Sequence, residues 1–520
     1  MYKLGIDVGG TNTDAVVLDD QLNVITSTKT HTTKDVATGI KNAIHEAVSS
    51  YNIDPAQISQ AMLGTTQATN AIVERKNLGK VGVLRIGYPA TASILPYTEW
   101  PADISKILSN RYALIHGGYE FNGDPIVPFS EKEVLGKLAE WKNQIDSLAV
   151  VGVFSSINDD QERRVVELAH EVLGDDFPVS TSSSIGSIGL IGRENATILN
   201  AALNKVIKNV TNGFSSALIE ENIVAAKKYL CQNDGTLMSI EYAAKYPILT
   251  IGSGPTNSIR GAAYLSKLKN ALTIDIGGTT SDIGVLNNGF PRESSKAVTV
   301  GGVRTNFRMP DVLSVGLGGG TIVRVANDGN ITIGPDSVGY AITDKAIVFG
   351  GNTLTTTDIA VRLGLCQIGN PKLVEKIPLE TAREVMKKIA GILEDGIDQM
   401  KTSAEDVNVI LVGGGAIIAP PKLNGVKRII KNKFGDVANA IGATIANIGG
   451  EYEKVYQYAQ IERTAALADV KKQATSQAIL AGAKADSIKV VEITEVPLAY
   501  APGDTTRVKA KVVGTINNTL

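Results

Sequence analysis

Residues 4–18 read LGIDVGGTNTDAVVL, and residues 272–286 read LTIDIGGTTSDIGVL. At a constant offset of 268, nine of the fifteen positions are identical: Leu4, Ile6, Asp7, Gly9, Gly10, Thr11, Asp14, Val17 and Leu18 match Leu272, Ile274, Asp275, Gly277, Gly278, Thr279, Asp282, Val285 and Leu286. Each copy opens with an apolar run suited to a buried strand, reaches an acid, bends through two glycines and hydroxyl residues, and returns apolar. That is the pattern of a β-hairpin. A tight hairpin whose aspartate caps its turn accounts for one copy alone. Two copies imply two related lobes.

Glycine lacks a Cβ, so its backbone can approach a ligand closely and present N–H groups to phosphate oxygens. Gly9, Gly10, Gly277 and Gly278 are therefore candidate nucleotide-binding residues, with Thr11, Asn12, Thr13, Thr279, Thr280 and Ser281 adding side-chain donors. A polyphosphate also brings charge, and an acid ending the first strand of each copy can hold hydrated Mg²⁺ through water. Asp7 and Asp275 are the candidate metal-binding and catalytic residues. One of them could also orient water or the attacking oxygen.

Composition narrows the partners. Lys plus Arg is 51 and Asp plus Glu is 53 in 520 residues, a formal charge of −2, so no basic excess announces nucleic acid or an anionic membrane. Small-molecule chemistry is the default. The two cysteines, Cys231 and Cys366, supply neither a disulfide framework nor a CxxC motif and are assigned to packing. His31, His45, His116 and His170 lack metal-ligand spacing. No targeting core precedes the first strand and no apolar run approaches membrane-spanning length, so a soluble cytoplasmic protein is expected.

The α/β alternation divides the chain into an expected lobe I over 1–190, a mainly helical insertion over 191–253, lobe II over 254–450, and a helical and β tail over 451–520. After the first hairpin, GIKNAIHEAVSSY reads as a helix, and the stretch from Ala90 to Pro128 as irregular structure beside a substrate entrance. Residues 451–486 read as a long charged helical segment.

In order, these segments resemble the five-part nucleotide site of the superfamily that contains acetate and sugar kinases, heat-shock chaperone ATPases and actin. The resemblance implies an α/β, two-lobed actin-like ATPase fold with duplicated ribonuclease H-like mixed sheets flanked by helices. Gly5–Leu18 and Thr273–Leu286 would be its phosphate loops, Gly254–Leu265 and Ala438–Ile448 its connecting helices, and Val409–Pro420 its adenosine segment, with Gly413, Gly414 and Gly415 against the adenosine.

A closer resemblance covers nearly the whole chain. DVGGTNTDAVVLD near the start, LGTTQATNAIVERK at 63–76, RENATILNAAL at 193–203, TIGSGPTNSIRGAA at 250–263, IDIGGTTSDI at 274–283, GLGGGTI at 316–322 and IGPDSVG at 333–339 are similar to the A-type subunit of the hydantoinase/oxoprolinase family, in a short form without the larger carboxyl-terminal region of longer members. This implies ATP- and Mg²⁺-dependent opening of a cyclic amide or imide, of hydantoin or 5-oxoproline type, through a phosphorylated intermediate. A B-type hydrolase subunit or other partner protein, and an oligomeric assembly, are implied with it.

For substrate, Thr65, Thr66 and Asn70 form a polar cluster able to hydrogen-bond a ring amide, or equally to cap the next helix. Arg193 and Asn195 could hold a carboxylate or ring amide, or mark an exposed helix start. Gly318–Thr321 could form an anion nest or a strand connection. No GxxxxGK[ST] occurs, and GLGGGT lacks the last glycine of GxGxxG, so other phosphate motifs are disfavoured. Two alternatives share the fold: a nucleotide-switching chaperone or enzyme reactivase, and a small-molecule kinase.

Overall fold

The computed structural model describes residues 1–520 apart from 34, 187, 295–297, 308, 327, 500, 502–503 and 518–520. The first repeat folds as β1 (Tyr2–Val8) and β2 (Asn12–Leu18), followed by β3 (Val24–His31) and, after the helix Val36–Ser49, by β4 (Ile58–Thr65). β1 pairs antiparallel with β2, β2 with β3, and β4 lies parallel to β1.

The chain then leaves this sheet. β5 (Val81–Tyr88), β6 (Arg111–His116), β7 (Ser147–Gly152) and β8 (Val179–Thr181) form a separate parallel sheet in the order β6-β5-β7-β8. The stretch expected to be irregular thus contains β6 and the short helix Ala102–Ile107.

The helices Leu190–Ala202 and Asn204–Glu220 lead back to β9 (Lys227–Cys231) and β10 (Leu237–Ser239). β9 pairs parallel with β4. The segment 191–253 is therefore not set apart from lobe I, because it supplies the fifth strand of that lobe's sheet.

The second repeat forms β11 (Ala271–Ile276) and β12 (Ser281–Asn287). After the short pieces β13 (Phe290–Pro291), β14 (Val298–Val300) and β15 (Val303–Thr305), β16 (Val312–Val315) pairs antiparallel with β12. A two-stranded ribbon of β17 (Thr321–Val325) and β18 (Ile331–Ser337) follows, then the long helix Leu379–Met400, β19 (Val407–Val412) and β20 (Val426–Lys431). β19 lies parallel to β11, and β20 to β19. The order β16-β12-β11-β19-β20 in this lobe repeats β3-β2-β1-β4-β9 in the first.

Three further strands enlarge the first sheet to nine: β21 (Ile448–Gln457), β22 (Lys489–Pro497) and β23 (Thr505–Gly514). The tail 451–520 is built into lobe I by this extension, and its helix covers only Arg463–Leu480. Among the described residues no helix is long and apolar enough to cross a membrane.

The lobes meet where two helices cross, Ser253–Ser266 from one side and Ala438–Ile445 from the other. A Cβ on Gly261 would overlap the Ala438 carbonyl, and one on Gly442 would overlap the Asn257 carbonyl. Backbone contact of this closeness requires glycine. Gly5 of β1 is likewise pressed on Thr444 and Ala440, so the second helix packs directly on the first repeat.

Candidate active site

Both hairpins close with the same bond. The Gly9 N–H donates to Asn12 O at 3.0 Å, and the Gly277 N–H to Thr280 O at 2.9 Å. Their tips face each other across the lobes: a Cβ built on Gly278 would stand 3.8 Å from Thr11 Oγ1. Gly10 has open space above it, and Thr279 and Thr280 are exposed. Thr13 and Ser281, the same position in the two copies, are fully buried. Thr13 Oγ1 meets Thr32 Oγ1 at 3.3 Å, and Ser281 Oγ donates to Leu317 O at 2.5 Å. These two side chains brace the hairpins from behind and are not available as phosphate donors.

Asp7 and Asp275 stand at the ends of β1 and β11, and the crossing helices tie them together. Asn257 Nδ2 donates to Asp7 Oδ1 at 3.2 Å, and Asn439 Nδ2 to Asp7 Oδ2 at 3.4 Å. Ser258 Oγ meets Asp275 Oδ2 and also Asn439 Oδ1, the latter at 2.7 Å, while Asn439 contacts Asp275 as well. A continuous hydrogen-bonded chain thus links the first strand of one lobe to that of the other.

Register adds two acids that the motif reading left as strand positions. Asp14 lies opposite Asp7, and Asp282 opposite Asp275. Burial, reinforced by the Asp14 charge, pushes the Asp7 carboxyl up to about 7; burial raises Asp14 and Asp282 to about 6 each and raises Asp275 also. Asp14 and Asp282 were visible as identical residues of the repeat, but only strand pairing brings them to the acids.

Among the described residues, one cation answers this cluster. Lys29 of β3 pairs with Asp14 at 2.5 Å, and its charge also reaches Asp275. Among the described residues no three His, Cys, Asp or Glu side chains converge as a metal cage. Buried carboxylates with a charge excess and few direct ligands fit a Mg²⁺ ion held largely through its water shell.

Gly413–Gly415 pack on the second hairpin. A Cβ on Gly413 would overlap Asp275 Oδ1, and one on Gly415 the carbonyl of Gly277. The 316–321 glycine loop lies beside them: the Gly319 and Gly320 N–H groups donate to Gly277 O and Gly278 O at 3.0 and 2.7 Å. Those amides are spent on the hairpin, so this loop is a structural brace and not an open anion nest.

Thr65 and Thr66 leave β4 beside the end of β1, where Gly64 lies opposite Asp7. Thr66 Oγ1 donates to Val8 O at 3.4 Å and accepts from Asn70 Nδ2 at 3.3 Å. This cluster adjoins the first hairpin. Arg193 and Asn195 do not join it. Arg193 Nε donates to Ser182 Oγ at 3.0 Å and its Nη2 to Gly152 O at 2.7 Å, while Asn195 accepts from Trp100 Nε1 at 2.7 Å and donates to Arg304 O at 2.8 Å. Their helix packs on the small parallel sheet, where the adjacent Glu194 forms a fully buried pair with Arg85 at 2.6 Å. The expectation that they reach substrate gives way to an internal role, because buried donors need partners and these have them.

Two models of one family match the chain: the hydantoinase/oxoprolinase N-terminal region over residues 3–173, and hydantoinase/oxoprolinase over residues 193–413. The caprolactamase subunit alpha of Pseudomonas jessenii is 26% identical over 382 residues, covering 70% of this chain and 54% of that protein. The acetone carboxylase beta subunit of Xanthobacter autotrophicus is 26% identical over 395 residues, covering 69% and 54%. The chain thus spans about half the length of these relatives. The solved ATP-dependent caprolactamase of Pseudomonas jessenii superposes with a TM-score of 0.82 at 20% identity, covering 99% of this chain and 88% of that one. Nucleotide-free acetone carboxylase superposes at 0.68 with 19% identity and the same coverage. These likenesses establish the two-lobed fold.

Proposed function

The chain belongs to the hydantoinase/oxoprolinase family, and from that premise we propose that it opens a cyclic amide or imide at the expense of ATP, acting with a partner subunit. The observation that carries the reading is the pairing of hairpins from opposite lobes over four linked aspartates, with Thr11 facing Gly278. Amide resonance makes the ring carbonyl a poor electrophile. Transfer of the γ-phosphoryl group to the ring oxygen releases ADP and creates a carbon that water can attack; the adduct collapses with cleavage of the C–N bond, the nitrogen taking up a proton, and the acyl phosphate left behind is hydrolysed by a second water to carboxylate and phosphate.

Catalysis of phosphoryl transfer is chiefly positioning and charge neutralisation. The backbone at the hairpin tips, Gly10–Thr11 and Gly278–Thr280, binds the phosphates, Gly413–Gly415 bound the adenosine side, and Lys29 balances charge beside Asp14. Asp7 and Asp275 would hold Mg²⁺ through water, and the ion would neutralise phosphate charge there. Thr65, Thr66 and Asn70, next to the first hairpin, orient the ring. The names of the relatives as subunits support a partner protein: caprolactamase alpha and acetone carboxylase beta.

Incubation with Mg·ATP and a panel of hydantoins, lactams and cyclic imides tests this, with ADP and product masses measured together. A ring-opened product supports the reading. A stable phosphoester makes the chain a kinase, and partner-dependent hydrolysis of ATP without any ring makes it a conformational switch.

A further inference from the structure

Lobe II carries a feature that the first lobe lacks. In the first repeat β2 passes to β3 through the short turn 19–23, whereas in the second, residues 288–311 stand between β12 and β16. The longer stretch turns into β13, which pairs back on β12, and then leaves the sheet as a second hairpin. Its root is fixed in lobe II. The Asp311 N–H donates to Arg292 O at 2.8 Å and the Ser294 N–H to Met309 O at 2.9 Å. The Arg292 side chain pairs with Asp311 at 2.7 Å and reaches Met400 O, at the end of the long helix, at 3.2 Å. β14 and β15 form the far end, closed by Gly301 and Gly302, whose φ angles of +57° and +88° suit a two-residue turn.

That far end lies in lobe I. Val300, Val303 and Phe307 are buried in one apolar cluster with Ala71 and Ile72 of the helix Gln67–Glu74 and with Val81 of β5. Gly301 abuts the helix, since a Cβ there would stand 2.7 Å from Ile72 Cγ2. Arg75, the residue after the helix, closes the contact. Its Nη1 donates to Ile72 O at 2.5 Å and its Nη2 to Gly301 O at 2.8 Å. One guanidinium fork thus holds the last turn of the helix and the tip of the hairpin together. Asn195 donates to Arg304 O at 2.8 Å from the neighbouring helix. Nearer the root, Glu293 pairs with Lys511 at 2.9 Å and Lys509 at 3.6 Å on β23, so the extended sheet braces the hairpin on its way across.

The helix so held is the one that starts at Thr65 and Thr66 and carries Asn70. It has eight residues, too few for a helix to be stable without tertiary support. Part of that support comes from the other lobe. The turn 19–23 shows that the strand pair closes without any such excursion, so the fold of the lobe does not require it.

We propose that this hairpin is a strap that couples the nucleotide to the ring: ATP held between the lobes orders the helix of Thr65, Thr66 and Asn70 through Arg75. The coupling rests on the interlobe nucleotide site and the ring cluster of the reading above. Arg75 is a positioning residue, in contact with neither ATP nor the ring. Fixing lobe II against lobe I fixes the strap, and the strap fixes the last turn of the ring helix. By linkage, a ring bound at that helix strengthens nucleotide binding by the same factor.

The test uses the full chain with Mg²⁺ and AMP-PNP, read by hydrogen–deuterium exchange and mass spectrometry. Nucleotide is expected to slow exchange over 67–75 at least about ten-fold, and to change it less than about two-fold in the helix Glu131–Trp141, which packs on the opposite face of the small sheet. Arg75→Met keeps an apolar stem and removes the fork. Nucleotide should still slow exchange at 9–13 and 277–281 in this variant, while its effect over 67–75 drops below about two-fold. Asp103→Asn removes the charge of the exposed partner that meets Arg75 at 2.9 Å and leaves the bond to Gly301, so it should respond as the wild type does. The strap is overturned if 67–75 does not respond in the wild type, responds no more than Glu131–Trp141, responds equally in Arg75→Met, or loses its response in Asp103→Asn. Each of those outcomes leaves the cyclic-amide reading to the product masses. Absence of any slowing at 9–13 and 277–281 removes the nucleotide site, and both readings with it.

Discussion

Lys29 donates to Asp14 at 2.5 Å from the position on β3 that corresponds to Ser314 on β16, whose hydroxyl donates to Asp282 at 2.5 Å. The repeat is therefore symmetric in its acids and asymmetric in what answers them. Among the described residues only the first lobe brings a cation to this position, so the two hairpins are chemically distinct despite identical Asp-Gly-Gly-Thr spacing. A charge that balances buried acids beside a transferring phosphoryl group acts where charge moves. Lys29→Met is expected to lower ATP turnover on the order of 100-fold, read as ADP release at saturating Mg·ATP. An unchanged kcat would remove Lys29 from the proposed site.

The acids themselves make stability depend on pH. Asp7 is raised to about 7 and Asp14 and Asp282 to about 6, all above the ordinary carboxylate value near 4. The folded chain then binds more protons than the unfolded chain between about pH 4 and 7, and its stability falls as pH rises through that window. In nucleotide-free protein, Asp7→Asn should gain on the wild type in Tm as pH goes from 5 to 8. A Tm difference that stays flat over that range contradicts the burial of a charged Asp7.

Turnover responds in the opposite sense. Asp275→Asn keeps the hydrogen-bonding shape toward Ser258 but removes the charge that would hold the hydrated ion. Mg²⁺-dependent ADP release is expected to fall on the order of 100-fold with the far-UV circular dichroism unchanged. Turnover retained in both Asp7→Asn and Asp275→Asn would dismiss the metal role of either residue.

The hairpins and lobes were legible because their signal is local: a strand, Asp, Gly-Gly and a strand, written twice. Membership of β9, β22 and β23 in the first sheet was not, since strand pairing is decided by partners far along the chain. β9 pairs with β4 from more than 160 positions away. The site followed the same division. Asp7 and Asp275 stand out at the turns, whereas Asn257, Ser258 and Asn439 become relevant only once two helices cross. Lys29 sits in an unremarkable run of Ser, Thr and Lys and carried no signal at all. Arg193 and Asn195 misled for the converse reason, that a polar run at a helix start reads as exposed until the small sheet covers it.

Arg193 offers a direct check of that last point. Its bonds to Ser182 and Gly152 are internal, and burial lowers its pKa without expelling it from the pair of acids nearby, Glu162 and Glu194. Lys reproduces the charge but not the planar fork. Arg193→Lys is expected to destabilise the fold by about 3 kcal/mol in urea denaturation, while the KM for substrate in the folded protein stays the same. A KM increase at undiminished stability would restore Arg193 to the substrate site.

The helix crossing couples stability to chemistry, and glycine substitutions separate the two effects. Gly261 and Gly391 are both helical, but a Cβ on Gly261 would overlap the Ala438 carbonyl, whereas one on Gly391 meets nothing within 4 Å. At Gly391, alanine restricts the unfolded chain and suits the helix, so Gly391→Ala should stabilise by about 0.4–1 kcal/mol. At Gly261 the obstacle is backbone, which cannot turn aside, so the helices must part. Overpacking of this kind costs about 1–3 kcal/mol. Parting the helices also moves Asn257 and Ser258 on one and Asn439 on the other, the residues that hold Asp7 and Asp275 in place. Gly261→Ala should therefore raise the Mg²⁺ concentration needed for half-maximal turnover as well as lower the urea midpoint, and Gly391→Ala should leave the Mg²⁺ requirement unchanged. If both variants shift stability and neither shifts the Mg²⁺ requirement, the crossing is scaffolding alone and the acids are held by their own strands.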